Sequence, residues 1–287
     1  MIKHAPDKTF FSFEVFPPKK DDGIEKVYET LDELSDLKPD FISVTYGAGG
    51  SENCGKTLDI AKRINDVCHV ESVIHLPGLH LTKKDAETML KTFADNGIEN
   101  LLVLRGDRIE GRTPCGEFLH ASDLISFIEE KMPGKFYLMG ACYPENHPES
   151  KDVVDEIANL KKKVDYGASH LLSQLFFDNE QFFRFVDNCK VAGINVPVEA
   201  GIMPVTNSIQ IERMTSRCGV ILPKKYKVMM EKYGANDESI LEAGIVYAAN
   251  QIVELLAGGV NGIHLYTMNK PYVARRIAKV FSSLTKS

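Results

Sequence analysis

Eight short runs rich in β-branched and aromatic residues alternate with charged segments of helical periodicity, and this alternation constrains the fold more than any other feature of the chain. Such alternation is typical of successive βα units that build a parallel sheet. The repeat averages about 36 residues per unit, which favours a closed eightfold barrel over an open doubly wound sheet. The predicted strands cover residues 9–16, 40–47, 70–76, 99–106, 135–143, 169–177, 196–202 and 261–267.

Helical segments fill the intervals between these runs. They are predicted to begin near Gly23, Gly55, Thr82, Glu117, Ser150, Asn179, Ser208 and Pro271. The interval 206–258 is longer than one barrel unit needs, so it should hold an extra helix between strands seven and eight. No linker, charge block or low-complexity stretch divides the chain. We therefore predict an α/β fold, a (β/α)8 TIM barrel, as a single domain over residues 1–287.

Charge and composition exclude several classes of partner. A net charge of -6 without a long basic stripe argues against nucleic acid and anionic membranes. The amino terminus lacks the apolar run of a signal peptide, and no run of about 18 consecutive apolar residues occurs. Six cysteines without a CxxC pair favour reduced thiols over disulfides or a metal site. We expect a soluble, cytoplasmic protein without a metal.

Polar side chains cluster where the predicted strands end, which is where a barrel of this type forms its active site. They are Glu14, Thr45, His75, Arg105, Asp107, Tyr143, His147, Gln174, Tyr266, Asn269 and Lys270. In the first strand, alternation directs Phe11, Phe13 and Val15 towards the helices. The same alternation turns Ser12 and Glu14 towards the barrel interior.

Two interpretations of an inward Glu14 stay open. One is a buried ion pair with Arg105 or with a lysine. The other is general acid catalysis, because burial disfavours the charged form of a carboxyl group and raises its pKa towards neutrality.

The predicted fifth helix carries a polar stripe made of Glu156, Asn159 and Lys163. This stripe is either a solvated helix face or a cofactor contact, in which Lys162 or Lys163 binds a phosphate and its neighbours bind ribose or ribityl hydroxyls. In the segment LVLRGD (102–107), the glycine lets backbone approach a planar or phosphorylated ligand. No GxGxxG or GxxxxGK[ST] motif occurs, so neither a Rossmann nor a Walker site is predicted.

Ten collinear motifs resemble those of the methylenetetrahydrofolate reductases, and they extend from Phe11 to Lys270. The motifs are FSFEVFPPK (11–19), SVTYGAGG (43–50), HL (75–76), NGIENLLVLRGD (96–107), ASDL (121–124), YPENHPES (143–150), NLKKKVDYGA (159–168), SQLFFD (173–178), GIMPVTN (201–207) and HLYTMNK (264–270).

The resemblance implies a flavin-dependent reductase. Noncovalent FAD would be reduced by NADH or NADPH and would then pass hydride to methylenetetrahydrofolate, in a ping-pong cycle. Glu14 corresponds to the family's general acid, which protonates folate N10. Asp107 corresponds to an aspartate beside the flavin and the pterin.

The resemblance also implies the binding residues. Substrate contacts carry over onto Thr45, Asp107, Gln174, Gln210 and Lys270. FAD contacts carry over onto Tyr46, Ala48, His75, Arg105, Gly106, Asp107, His120, Ala121, Tyr143, His147, Ser150, Glu156, Asn159, Lys162 and Lys163. The family further implies a homo-oligomer.

The sequence departs from the family's commonest pattern at five positions: His120 replaces a tyrosine, Glu156 an aspartate, Lys162 and Lys270 arginines, and Met214 a phenylalanine near substrate or nicotinamide. Lysine keeps the charge of arginine but loses its bidentate fork. Met214 leaves open an alternative in which the same barrel is reduced by a partner electron-transfer protein. A separate alternative to the reductase is a pterin-binding methyltransferase barrel without flavin.

Overall fold

A computed structural model of the protein describes residues 1–2, 8–18, 23–46, 54–109, 111 and 113–285. Its strands are β1 (Phe10–Val15), β2 (Phe41–Val44), β3 (Glu71–Pro77), β4 (Asn100–Leu104), β5 (Tyr137–Cys142), β6 (His170–Ser173), β7 (Val198–Ile202) and β8 (Gly262–Tyr266). All eight are parallel and close into one barrel in sequence order, with β1 paired to both β2 and β8. The predicted TIM barrel is confirmed.

The helices are α1 (Ile24–Ser35), α2 (Cys54–Asp66), α3 (Lys83–Asp95), α4 (Ala121–Lys131), α5 (Val153–Asp165), α6 (Asn179–Val191), α7 (Ser208–Cys218), α8 (Lys224–Tyr233), α9 (Asp237–Ala257) and α10 (Pro271–Leu284). Six helices begin within one residue of the predicted start. Helix α4 begins later than predicted because Asp123 accepts a hydrogen bond from the backbone nitrogen of His120 at 2.8 Å, which caps the helix there.

The interval between β7 and β8 holds α7, α8 and α9, which is two helices beyond the one that each barrel unit needs. The sequence predicted a single extra helix. Helix α8 covers apolar side chains that follow β6, because its fully buried Tyr226 packs on Phe177 with ring centroids 4.5 Å apart. Strand β6 ends at Ser173, earlier than the predicted residue 177, and Leu175 and Phe177 beyond it pack in one apolar cluster with Tyr226.

Apolar side chains pack against the strands on two sides, outside the barrel against the helices and inside the barrel. Outward side chains of β1 contact the helices, as when Phe11 stacks on Phe281 of α10 at 4.3 Å. Each such buried aromatic side chain contributes roughly 1.5–3 kcal/mol. A smaller cluster fills the barrel interior and consists of Ile2, Phe10, Phe41, Val73, Leu102, Met139 and Leu172. The predicted inward and outward alternation of β1 is confirmed.

Helix α9 is the one described helix that is long and apolar enough to cross a membrane, with a mean hydropathy of 1.4 over its best window. Here it packs against α8, α10, α6 and β7. Its buried side chains include Ile240, Ile245 and Ile252. The barrel therefore accounts for its apolar character.

Candidate active site

A cavity of about 1330 Å³ opens at the carboxyl ends of the strands. This volume exceeds that of a site for one drug-sized ligand, which is about 300–1,000 Å³. The predicted site residues in its wall are Glu14, Thr45, Tyr46, His75, Arg105, Gly106, Asp107, His120, Ala121, Tyr143, His147, Ser150, Glu156, Asn159, Lys163 and Gln174. The barrel thus gathers residues that are scattered over most of the sequence.

Of the predicted binding residues whose side chains the structure describes, Lys162 and Lys270 are not in this wall. Lys162 is exposed on α5. Lys270 is also exposed and donates a hydrogen bond from Nζ to Thr206 Oγ1 at 2.6 Å. Ala48 lies outside the described residues, as does the side chain of Gln210.

Glu14 lies between two histidines on the floor of the cavity. Its Oε2 is 3.5 Å from His75 Nε2 and 3.9 Å from His264 Nε2, and its side chain keeps 19% of its surface exposed. Strand pairing fixes this position, because Glu14 is in register with Tyr266 of β8. The ion pair with Arg105 that the sequence left open is not formed. The carboxyl group instead faces imidazole nitrogens and the cavity.

His75 is held in its neutral form. Burial lowers its pKa to about 4, since removal from water disfavours the imidazolium, and the nearby Glu14 opposes this shift only in part. The ring nitrogen that faces Glu14 has no hydrogen-bond partner among the described residues. His75 can therefore offer a neutral ring to a ligand in the cavity.

The loop after β4 requires glycine at its centre. Gly106 has φ of +88°, and a Cβ atom there would lie 2.8 Å from Cβ of Pro77. This close approach leaves the backbone of residues 105–107 open to the cavity. Beside it, the guanidinium of Arg105 forms an ion pair with Glu149, which lowers the pKa of Glu149. The ion pair with Glu149 thus holds the positively charged side chain of Arg105 at the cavity wall.

The buried carboxylate of Glu156 on helix α5 is hydrogen-bonded to the loop after β5. Glu156 keeps only 3% of its surface exposed, and it accepts hydrogen bonds from Ser150 Oγ at 2.5 Å and from the His147 backbone at 3.1 Å. Lys163 donates from Nζ to the backbone oxygen of Ala141 at 2.8 Å. Burial lowers the pKa of Lys163, while the charge of Glu156 opposes that shift. The polar stripe of α5 is therefore not a solvated face.

The far wall is built around Tyr266. Its hydroxyl donates a hydrogen bond to the Ser173 backbone oxygen at 2.7 Å, and burial raises its pKa. Gly201 makes this contact feasible, because a Cβ atom there would lie 2.8 Å from the tyrosine ring. Next to it, Gln174 accepts a hydrogen bond from the Leu175 nitrogen at 2.9 Å, which orients its side-chain amide. Met214 from α7 also lines the cavity.

The sequence analysis missed three buried titratable residues: His170, Glu199 and His264. A signal existed. Each lies on an otherwise apolar strand, and the alternation rule used for Glu14 also turns His264 inward, two residues before Tyr266.

Among the described residues, no group of three or more His, Cys, Asp or Glu side chains is placed to hold a metal ion. Four cysteines, Cys68, Cys115, Cys142 and Cys189, are free thiols. Reduced thiols were expected from the sequence.

A methylenetetrahydrofolate reductase family model matches residues 1–282 of the chain. The 5,10-methylenetetrahydrofolate reductase of Escherichia coli is 36% identical over 259 residues, covering 90% of this chain and 86% of that protein. A plant relative, methylenetetrahydrofolate reductase (NADH) 1 of Arabidopsis thaliana, is 38% identical over 278 residues and 91% of this chain. The chain spans about half the length of the plant relative, 46% of it.

A similar solved structure is a Clostridium thermocellum protein that binds two copies of 5-methyl-5,6,7,8-tetrahydrofolic acid. The TM-score is 0.67 at 15% identity, covering 96% of this chain and 94% of that one. At this identity the likeness concerns the fold alone.

Proposed function

Because the chain belongs to the methylenetetrahydrofolate reductase family, we propose that it reduces 5,10-methylenetetrahydrofolate to 5-methyltetrahydrofolate with FAD and NADH or NADPH, in a ping-pong cycle. The observation that carries the proposal is the position of Glu14. It is a carboxyl group on the floor of a large cavity, close to two imidazole nitrogens, where a general acid can reach a bound folate.

The cavity wall suits a flavin dinucleotide. Its glycine loop lets backbone approach a flat ring, and the cationic groups Arg105 and Lys163 can face phosphates. The residues assigned to FAD are Tyr46, Ala48, His75, Arg105, Gly106, Asp107, His120, Ala121, Tyr143, His147, Ser150, Glu156, Asn159, Lys162 and Lys163. Bound FAD supplies hydride transfer between the nicotinamide and the folate one-carbon unit.

The protein's own part in folate reduction is acid catalysis and orientation. Glu14 protonates N10, which opens the five-membered ring and makes the one-carbon unit electrophilic. Asp107 accepts hydrogen bonds from the pterin edge. The other substrate contacts are assigned to Thr45, Gln174, Gln210 and Lys270. Because His75 is neutral, it does not compete with Glu14 as a proton donor on the cavity floor.

There is a second candidate for the electron donor. Met214 lines the cavity where the family commonly places a phenylalanine, so an electron-transfer protein is an alternative to the nicotinamide. We place the activity in the cytoplasm, in a homo-oligomer. The family match gives no support to a methyltransferase without flavin.

Visible absorption during an anaerobic titration tests the proposed function. We expect the purified protein to carry a flavin band that bleaches when NADH is added and returns when methylenetetrahydrofolate follows. A band that NADH and NADPH leave unchanged would favour the protein donor. If reconstitution with FAD produces no band, the reductase proposal fails.

A further inference from the structure

A chain of fully buried polar side chains lies below Glu14, further from the mouth of the barrel. Ser12 Oγ donates a hydrogen bond to Glu199 Oε2 at 2.5 Å and lies 2.7 Å from His264 Nδ1. The other carboxylate oxygen of Glu199 lies 2.9 Å from His170 Nε2. Such groups cost stability in an apolar interior unless they are mutually paired. The chain ends at a wall residue of the cavity, His264, which points to a role in the site.

Hydrogen-bond chemistry sets the tautomer of His264. An ionised carboxylate only accepts hydrogen bonds, so the single proton of the Ser12 hydroxyl is directed to Glu199. The serine oxygen must then accept from Nδ1–H of His264. The nitrogen that can gain or lose a proton is therefore Nε2. That nitrogen faces Glu14 Oε2 at 3.9 Å.

This arrangement distinguishes His264 from His75. Both rings face the same carboxylate oxygen, but burial lowers the pKa of His75 to about 4 and keeps it neutral. His264, by contrast, is connected through Ser12 to the buried carboxyl group of Glu199. The titratable groups around His264 are Glu14, His75, Glu199 and Tyr266.

We propose that Glu14 and His264 share one proton, and that the Glu199–Ser12 chain positions His264 to do so. The inference rests on the proposed function and extends it. The shared proton lies either on Glu14 Oε2 or on Nε2 of His264, the two atoms that face each other across this gap. The 3.9 Å separation must shorten on substrate binding, as catalytic contacts in ligand-free sites often do.

The proton balance is simple. The Glu14 carboxyl group transfers its proton to N10 of the folate and becomes a carboxylate. The pair is then a Glu14 carboxylate and a neutral His264. It takes up one proton from solvent at Nε2 of His264, which can pass that proton to Glu14 while Nδ1–H keeps its hydrogen bond to Ser12 Oγ. Each turnover consumes one proton, as the reduction requires.

The test uses Ser12→Ala, with Ser43→Ala as the matched control. Both serines are fully buried on adjacent strands, but Ser43 Oγ has no hydrogen-bond partner among the described residues. The measurement is the single-turnover rate at which methylenetetrahydrofolate reoxidises the reduced flavin, from about pH 6 to about pH 9. Flavin content and the rate of reduction by NADH report whether each variant is intact.

We expect the rate to fall at high pH in the wild type and in Ser43→Ala with the same midpoint. In Ser12→Ala the midpoint should move down by about one pH unit, because one hydrogen bond to the imidazolium is lost. Glu199→Gln should shift it in the same direction. His264→Gln cannot hold the proton and should slow folate reduction about tenfold or more at neutral pH. In Ser12→Ala and Ser43→Ala, flavin reduction by NADH should be unchanged.

Two failures are distinguishable. If methylenetetrahydrofolate does not reoxidise the wild-type flavin, the proposed function is wrong. If the wild type is active but Ser12→Ala keeps its midpoint, the shared proton is wrong while the proposed function stands. Should Glu199→Gln fail to fold because His170 loses its partner, Ser12→Ala and His264→Gln still decide the question.

Discussion

Ser150 donates a hydrogen bond from its Oγ to Glu156 at 2.5 Å, and this bond joins the loop after β5 to the first turn of α5. The same carboxylate accepts from the His147 backbone nitrogen. Glu156 therefore holds the loop at two points, and its charge also stabilises the ammonium of Lys163. One buried carboxylate organises a large part of the wall assigned to the cofactor.

Glu156→Ala should destabilise the protein and weaken FAD binding. The substitution leaves buried hydrogen-bond donors without an acceptor, at a cost of about 1–3 kcal/mol for each. Ser150→Ala removes one donor and keeps the carboxylate, so it should cost less. Urea unfolding and an FAD titration measure both effects. Equal losses in the two variants would show that Glu156 has no organising role.

Glu14→Gln should separate the two half-reactions. The amide fills the same space but has no proton to give at N10, so reoxidation of the flavin by methylenetetrahydrofolate should fall roughly 10²–10⁴-fold. FAD binding and reduction by NADH should stay near wild-type values. Stopped-flow absorbance measures each step. Unchanged folate turnover would remove Glu14 from the mechanism.

Gly106→Ala tests the glycine loop against a control glycine. Gly97 also has positive φ, +74°, but a Cβ atom there would meet nothing within 4 Å. Gly97→Ala should therefore cost about 1 kcal/mol in the free energy of unfolding and leave FAD binding intact. Gly106→Ala adds a clash with Pro77, so it should cost more and displace Arg105. The loop has no role in cofactor binding if both variants bind FAD as the wild type does.

The fold and part of the site could be predicted from local patterns in the sequence. Alternation in β1 correctly turned Glu14 inward, because a strand's two faces follow from its own residues. The partners of Ser12 could not be found this way. Glu199 and His264 lie 187 and 252 positions away along the chain, and only barrel closure brings them together. Likewise, only one of the two extra helices between β7 and β8 was predicted, because the packing of α8 depends on apolar residues that follow another strand.

The free energy of unfolding should decrease as the pH falls from 6.5 to about 4, and the size of this decrease should depend on His75. Its pKa is 6.5 in the unfolded chain and about 4 in the fold. The unfolded state therefore binds a proton in this window that the folded state does not, and stability is lost as the pH falls. The full effect is about 3 kcal/mol, since one pKa unit corresponds to about 1.4 kcal/mol. His75→Gln, which cannot titrate, should flatten this part of the profile in urea unfolding. A profile identical to that of the wild type would mean that the pKa of His75 is the same in the folded and unfolded protein.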